Sequence, residues 1–344
     1  MRCGDTKPRP TWLGFGRAVH RACGVGIALA ALTGCNGGSS ALDPGGVEAA
    51  TIARLFWLMA IGAGAVWVVV VSIAIHAGRR RDNPPDRRVA RWLIVVGGVV
   101  VPTVVLGALL MHGLVLMPQL REPAPHDGLR IAVSGEQWWW RVTYRPDDAV
   151  PVVLANEIRL PVGRRVEFIL TSPDVIHSFW IPSLGGKLDM IPARTTTLVL
   201  EPTRTGTFQG ACAEYCGTSH AFMRLAVVVM EPEPFARWLE HQAASATAPL
   251  DAIARRGEHA FRRNGCGACH TVRGTAAAGV VGPDLTHVGS RLELAAGTLP
   301  NDPAGFQRWI ADTHTVKPDA TMPQFGVLPE AEQRAIASYL EGLQ

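Results

Sequence analysis

The sequence predicts a multidomain membrane protein built in series: a two-helix transmembrane hairpin, then an all-β sandwich, then a small all-α domain. Three observations carry this. Two long uncharged apolar runs lie near the N-terminus, short β-branched segments separated by turn residues fill Leu129 to Met230, and apolar residues recur at helical spacing beyond Asp251.

The hairpin comes first. Leu55 to Ile75 is a run of 21 residues without a formal charge, and Trp92 to Leu116 is a second of 25, broken only by Pro102, Thr103 and His112. Each is long enough to cross a hydrocarbon core of about 30 Å, so helices are expected at about 52–76 and 92–116. Between them, residues 77–91 hold six arginines against Asp82 and Asp86. By the positive-inside rule this loop is cytoplasmic, which puts everything after about residue 120 on the outer face. The net charge of +4 equals the loop's own six arginines less two aspartates, so it calls for no nucleic-acid partner.

Residues 1–34 read as an export signal, with Arg17 and Arg21 ahead of the apolar stretch Val25 to Leu32. They end in Leu32-Thr33-Gly34-Cys35, which resembles a bacterial lipobox and implies lipidation of Cys35; an ordinary signal sequence is the alternative. Cys3 and Cys23 would leave with the signal. The other four cysteines form two tight pairs, Cys212/Cys216 and Cys266/Cys269, each with a histidine close by. In an oxidising compartment a disulfide is the default for a pair, whereas the histidines argue for metal and cofactor.

Residues 121–236 are expected to form the β domain. Val166 to Leu170 alternates at its start, Pro161-Val162-Gly163-Arg164 suits a tight turn, and Thr195 to Leu200 and Leu225 to Met230 are rich in β-branched residues. Residues 237–250, ending in Ala243-Ala244-Ser245-Ala246-Thr247-Ala248-Pro249, suit a linker. Residues 251–344 are expected to be helical at Asp251 to Arg263, Pro303 to Thr313 and Pro329 to Leu343.

The densest chemistry is Cys212-Ala213-Glu214-Tyr215-Cys216-Gly217-Thr218-Ser219-His220-Ala221-Phe222-Met223. Thiolate, imidazole and thioether together are the donor set of copper in an electron-transfer role. One blue copper needs a single cysteine, whereas two cysteines four residues apart can bridge a pair of coppers. Such a pair needs a second histidine, and Asp174-Val175-Ile176-His177-Ser178-Phe179-Trp180 supplies one. With Gly185-Gly186-Lys187, these motifs make residues 156–229 resemble the CuA domain of cytochrome c oxidase subunit II, a cupredoxin-like fold. The resemblance implies a dinuclear copper centre held by the side chains of His177, Cys212, Cys216, His220 and Met223 and the backbone carbonyl of Glu214. It also implies a magnesium site shared with subunit I that the Glu214 carboxylate faces. A copper chaperone or thiol-redox protein would account for Cys-x3-Cys and a distant histidine, but not for Glu214, His220 and Met223.

Upstream, Gly135-Glu136-Gln137-Trp138-Trp139-Trp140 resembles the family's tryptophan-rich segment. Trp139 and Trp140 read as core, and the resemblance puts Trp138 on the surface over the copper pair as the electron entry point. The family often has a glutamate just before the tryptophan opening the second helix; Val89-Ala90-Arg91-Trp92 has none, which leaves that route of proton uptake without its carboxylate.

Cys266-Gly267-Ala268-Cys269-His270 is a c-type haem attachment motif. Gly282-Pro283-Asp284-Leu285 follows it, and Lys317-Pro318-Asp319-Ala320-Thr321-Met322-Pro323 places a methionine 52 residues after His270. Residues 252–344 thus resemble a class I cytochrome c. That implies thioether bonds from Cys266 and Cys269, axial ligation by His270 and Met322, and orientation of His270 by the Pro283 carbonyl. His259, His287 and His314 read as surface or locally hydrogen-bonded residues.

Together these resemblances imply the electron-accepting subunit of a bacterial haem-copper oxidase in the cytoplasmic membrane, its copper and haem domains on the periplasmic face. Subunits I and III would be its partners and a cytochrome c or cytochrome bc complex its donor, with dioxygen reduced on subunit I. The alternatives are the electron-entry subunit of a copper-containing nitric oxide reductase and a membrane-tethered copper chaperone. A quinol oxidase subunit would lack the copper ligands, and nitrous oxide reductase would add a propeller.

Overall fold

The computed structural model describes residues 37–79, 86–120, 122–125, 128–145 and 150–344. The export signal and Cys35 lie outside the described residues, as do Arg80 and Arg81 of the basic loop.

Helix α1 (Val47–Arg79) and helix α2 (residues 87–120) are long and apolar enough to cross a membrane, and among the described residues none of their apolar windows is buried. Helix α2 is α-helical over Arg87–Trp92, π-helical over Leu93–Val100 and α-helical again over Val101–Leu120. Its start is capped by the Asp86 side chain, which accepts from the Arg88 N–H. Both helices outrun the apolar runs that predict them, because arginine ends an apolar run without ending a helix. The first turn of α1 belongs to the β domain: Glu48 Oε2 accepts from the Glu201 N–H at 2.9 Å, and the Ala49 N–H donates to the Leu184 carbonyl at 3.2 Å.

The β domain is a sandwich of two five-stranded sheets. Strands β1 (Leu129–Glu136), β2 (Trp139–Tyr144), β3 (Val152–Ala155), β5 (Val166–Thr171) and β8 (Thr196–Leu200) form one sheet, ordered β3-β2-β1-β5-β8. Strands β4 (Glu157–Pro161), β6 (His177–Trp180), β7 (Leu188–Met190), β9 (Gly206–Cys212) and β10 (Arg224–Met230) form the other, ordered β4-β10-β9-β6-β7. Alternation sets the inner faces: Trp140, Val142 and Tyr144 of β2 and Val166, Phe168 and Leu170 of β5 meet Ile158, Phe179, Leu225 and Val227 of the facing sheet in one core. The predicted turn at Pro161–Arg164 forms with Gly163 at φ +72°, a conformation that favours glycine.

The expected linker is shorter than 237–250. Helix α3 (Pro232–Ala243) occupies the first half of that range, with Phe235 buried and Trp238 edge-on to Tyr144, ring centroids 5.5 Å apart. Phe235, Trp238 and Leu239 lie at helical spacing and pack against the sandwich, so burial of one face overrides the linker-like composition around them. Residues 244–250 alone keep the extended character expected of a connection.

The C-terminal domain contains helices α4 (Ala252–Arg263), α5 (Pro303–Ala311), α6 (Thr313–Val316) and α7 (Glu330–Glu341), with a two-stranded ribbon of β11 (Glu293–Leu294) and β12 (Leu299–Pro300). Asp251 caps α4 by accepting from the Ile253 and Ala254 N–H groups at 2.7 and 2.8 Å. Helices α4 and α7 cross closely at Gly257, where a Cβ would come within 1.9 Å of the Ala335 carbonyl oxygen. Phe261 and Tyr339 stack edge-on beside that crossing. The two globular domains touch: the Leu292 N–H donates to Glu157 Oε2 at 2.8 Å, and the Arg224 N–H to the Ala296 carbonyl at 3.2 Å.

Candidate metal centre and haem-attachment site

The copper-type motifs converge at one end of the sandwich. Strand β6 opens on His177, β9 ends at Cys212, and the loop to β10 carries Glu214, Cys216, His220 and Met223. Cys212 and Cys216 Sγ lie 3.8 Å apart, nearly twice the disulfide length of about 2.05 Å, and both thiols are free. Around them stand His177 Nδ1, 3.8 Å from Cys212 Sγ, His220 Nδ1, 3.5 Å from Cys216 Sγ, and Met223 Sδ, 3.9 Å from Cys216 Sγ. The Glu214 carbonyl oxygen is 3.1 Å from Cys212 Sγ. Six donors from two chain segments therefore face one small volume, and His177, Cys212 and Cys216 at its centre are buried.

The surroundings prepare these donors for a cation. Cys216 hydrogen-bonds to the Cys212 sulfur and holds that thiol far below the usual range, while the same hydrogen bond, with burial and the charge on Cys212, pushes Cys216 up. The two sulfurs thus favour sharing one proton. Burial alone would depress His177, but its bonds to Cys212 and Asp174 raise it above the ordinary histidine value. Burial likewise pushes Asp174 up, and the Gln137 and Val175 amides with His177 more than offset it, leaving the carboxylate below its usual range.

Asp174 adjoins this cluster, although nothing in the local sequence marks it as a candidate ligand. Its Oδ1 lies 2.8 Å from His177 Nε2, which leaves Nδ1 directed at the sulfurs. Its contact with His177 does have a local signal, a carboxylate three residues before a candidate ligand. Gln137 gave no such signal; its Nε2 donates to the Cys216 carbonyl at 2.7 Å and joins the tryptophan segment to the cysteine loop.

Trp140 is fully buried as core, and Trp139 is half-buried under the Arg141 guanidinium, 4.6 Å above its ring. Trp138 does touch the cysteine loop, its Nε1 donating to the Cys216 carbonyl at 2.9 Å. Gly217, at φ +114°, makes room for it, since a Cβ there would lie 3.0 Å from the indole. The expected surface position is not found: Trp138 is only 7% exposed, its indole joining the sandwich core while Lys317 of the C-terminal domain donates to its backbone carbonyl.

In the C-terminal domain Cys266 and Cys269 are both free, Cys266 half-buried and Cys269 exposed. His270 Nδ1 lies 2.8 Å from the Pro283 carbonyl oxygen, which commits that nitrogen to an N–H and leaves Nε2 with the lone pair. Gly282 permits this approach, as a Cβ there would come within 2.5 Å of the ring. Burial pushes His270 down, which favours the neutral imidazole. Cys266 and Met322 pack against the same apolar cluster. His287 and His314 bond to backbone carbonyls, His287 to Ala244 and Gln344 and His314 to Ala320.

Comparison with known proteins agrees with both halves. Residues 151–230 match the family model described as cytochrome c oxidase subunit II, periplasmic domain, and residues 254–344 match that of cytochrome c. A cytochrome c oxidase subunit 2 from Alkalihalophilus pseudofirmus is 33% identical over 326 residues, covering 91% of this chain and 94% of the relative. One from Bacillus subtilis is 30% identical over 294 residues, covering 80% and 81%. Among solved structures, the periplasmic domain of subunit II of cytochrome oxidase of Bradyrhizobium japonicum is 34% identical, with a TM-score of 0.33, and the alignment covers 35% of this chain and 96% of that one. With two apolar helices, a β-sandwich and a helical cytochrome c domain matched along 91% of its length, the chain belongs to the cytochrome c oxidase subunit 2 family.

Proposed function

We propose that this chain is the electron-entry subunit of an oxidase, holding a dinuclear copper centre in its sandwich and a covalent haem in its C-terminal domain. One observation carries the copper assignment: two free sulfurs 3.8 Å apart, flanked by two imidazoles that both turn Nδ1 toward them. Soft sulfur with nitrogen is the donor chemistry of copper, and two sulfurs in one loop suit a pair of ions better than one. His177, Cys212, Cys216, His220 and Met223 would hold it with their side chains and Glu214 with its carbonyl, while the Glu214 carboxylate would serve a magnesium ion at the contact with subunit I. Cys266 and Cys269 would attach the haem, His270 and Met322 would take the axial positions, and the Pro283 carbonyl would orient His270.

Bound copper and haem supply one-electron redox chemistry. The chain's own residues fix where it takes place: Asp174 and the Pro283 carbonyl orient the imidazoles, the sandwich core excludes water from the thiols, and Trp138 lies between the cysteine loop and the C-terminal domain. Covalent fusion raises the effective concentration of the donor domain to about the millimolar range. In this reading subunits I and III complete the complex in the inner membrane, an external cytochrome c or cytochrome bc complex supplies electrons, and dioxygen is reduced on subunit I.

The test is metal analysis with electron paramagnetic resonance on the full chain in detergent. Two coppers per haem iron with one unpaired electron shared between them is the expected result. One exchangeable copper, or a Cys212–Cys216 disulfide, would favour a copper-delivery protein instead.

A further inference from the structure

Lys317 is 3% exposed, and its ammonium sits between the two globular domains. It donates to three carbonyl oxygens, those of Trp138 at 2.5 Å, Phe222 at 2.9 Å and Ala295 at 3.3 Å. An ammonium has three N–H donors, so its capacity is used in full. The acceptors come from separate places: Trp138 from the tryptophan segment, Phe222 from the position before Met223, and Ala295 from the β11–β12 connection of Lys317's own domain.

Neighbouring contacts converge on the same seam. Ser219, fully buried, donates from Oγ to the Pro318 carbonyl at 2.5 Å, so consecutive residues Lys317 and Pro318 both grip the cysteine loop. Ala295 and Ala296 adopt left-handed conformations unusual for alanine, at φ 51° and 58°. That bend presents the Ala295 carbonyl to Lys317 and the Ala296 carbonyl to the Arg224 N–H. Taking an ammonium out of water is unfavourable, and burial pushes Lys317 down to about 7. An apolar side chain would fill the space without that cost; the lysine adds directional bonds to both domains.

We propose that Lys317 is the positioning residue that locks the C-terminal domain onto the sandwich, tying it to the backbone of the tryptophan segment and of the cysteine loop. The use of the lock rests on the electron-entry reading above; the lock itself needs neither metal nor haem.

The full chain in detergent provides the test. Acetylation by an amine-reactive ester, followed by mass spectrometry, should modify Lys317 at least about tenfold more slowly than the exposed Lys187, because reaction requires the domains to part. In Lys317→Met, hydrogen exchange at the Arg224 and Leu292 amides, which donate across the seam, should rise about tenfold or more, while Val133 and Tyr339 within the two cores keep their protection. Lys317→Arg should restore part of it. In chain loaded with copper and haem, Lys317→Met should slow electron equilibration between the two domains about tenfold with haem spectrum and copper content unchanged. Labelling of Lys317 as fast as Lys187, or unchanged exchange at Arg224 and Leu292, would overturn the lock. Labelling needs no variant, so it decides even if Lys317→Met does not fold. A chain that retains no copper would defeat the electron-entry reading while labelling and exchange still report on the lock.

Discussion

Asp174 Oδ1 and His177 Nε2 lie 2.8 Å apart, and this contact turns the other imidazole nitrogen to the two sulfurs. The same carboxylate accepts from the Gln137 N–H at 2.7 Å and the Val175 N–H at 2.6 Å, so it is itself fixed before it fixes the histidine. Asp174→Asn keeps the shape and removes the charge. Copper affinity should fall about 10–100-fold, measured by competition with a chelator, with the sandwich still folded.

Copper should stabilise the β domain without being needed to form it. The donors lie at one end of the sandwich, where Cys212, Cys216 and Met223 join a core otherwise built of strand residues such as Ile131, Trp140, Phe168, Phe179 and Val227. Copper-free chain should therefore keep its strand circular dichroism. Copper at a thousandfold excess over its dissociation constant should add about 4 kcal/mol, read as a raised melting temperature.

Gly282→Ala places a methyl group against the His270 ring, within 2.5 Å of its Cε1. The ring must swing away from the Pro283 carbonyl, and Nδ1 loses its acceptor. Haem should still attach through Cys266 and Cys269, but its visible spectrum should lose the bands of six-coordinate low-spin iron in part or whole. An unaltered spectrum would mean that the ring tolerates the methyl group.

At Gly257 an added methyl group meets the Ala335 carbonyl of α7, a backbone atom that cannot move alone. Alanine favours a helix over glycine by about 1 kcal/mol, yet forcing two packed helices apart costs about 1–3 kcal/mol or more. Gly257→Ala should lower the unfolding midpoint of the C-terminal domain in denaturant, with the sandwich transition unchanged.

Alkaline pH should destabilise the C-terminal domain through Tyr339. Burial pushes its phenol up to about 12, with the Glu258 charge adding to the shift. A folded-state value above the unfolded one means that folding favours the protonated form. The contribution is therefore complete below about pH 10 and is lost as pH rises from there through 12. Tyr339→Phe has no proton to lose, so its domain should stay folded to higher pH than the parent when unfolding is followed by circular dichroism.

The order of parts was legible in the sequence because each has a period of its own. Uncharged runs gave the spans, alternation at Val166 to Leu170 gave β5, and helical spacing at Ala335, Ile336 and Tyr339 gave α7. The candidate ligands were legible for a related reason: Cys212 to Met223 lie on one loop, where spacing alone limits the geometry. Helix α3 escaped because its alanine-rich end resembles a linker until Phe235 and Trp238 find the sandwich to pack on.

What only the tertiary structure decided lies between elements distant in the chain. Trp138 and Lys317 stand 179 residues apart, and no local pattern says that the ammonium of one meets the carbonyl of the other. Sequence determined which groups carry chemistry, because donor type and spacing are local. Tertiary packing decided that Trp138 is covered rather than open, its indole in the sandwich core and its carbonyl bonded to Lys317, because burial depends on which surfaces meet.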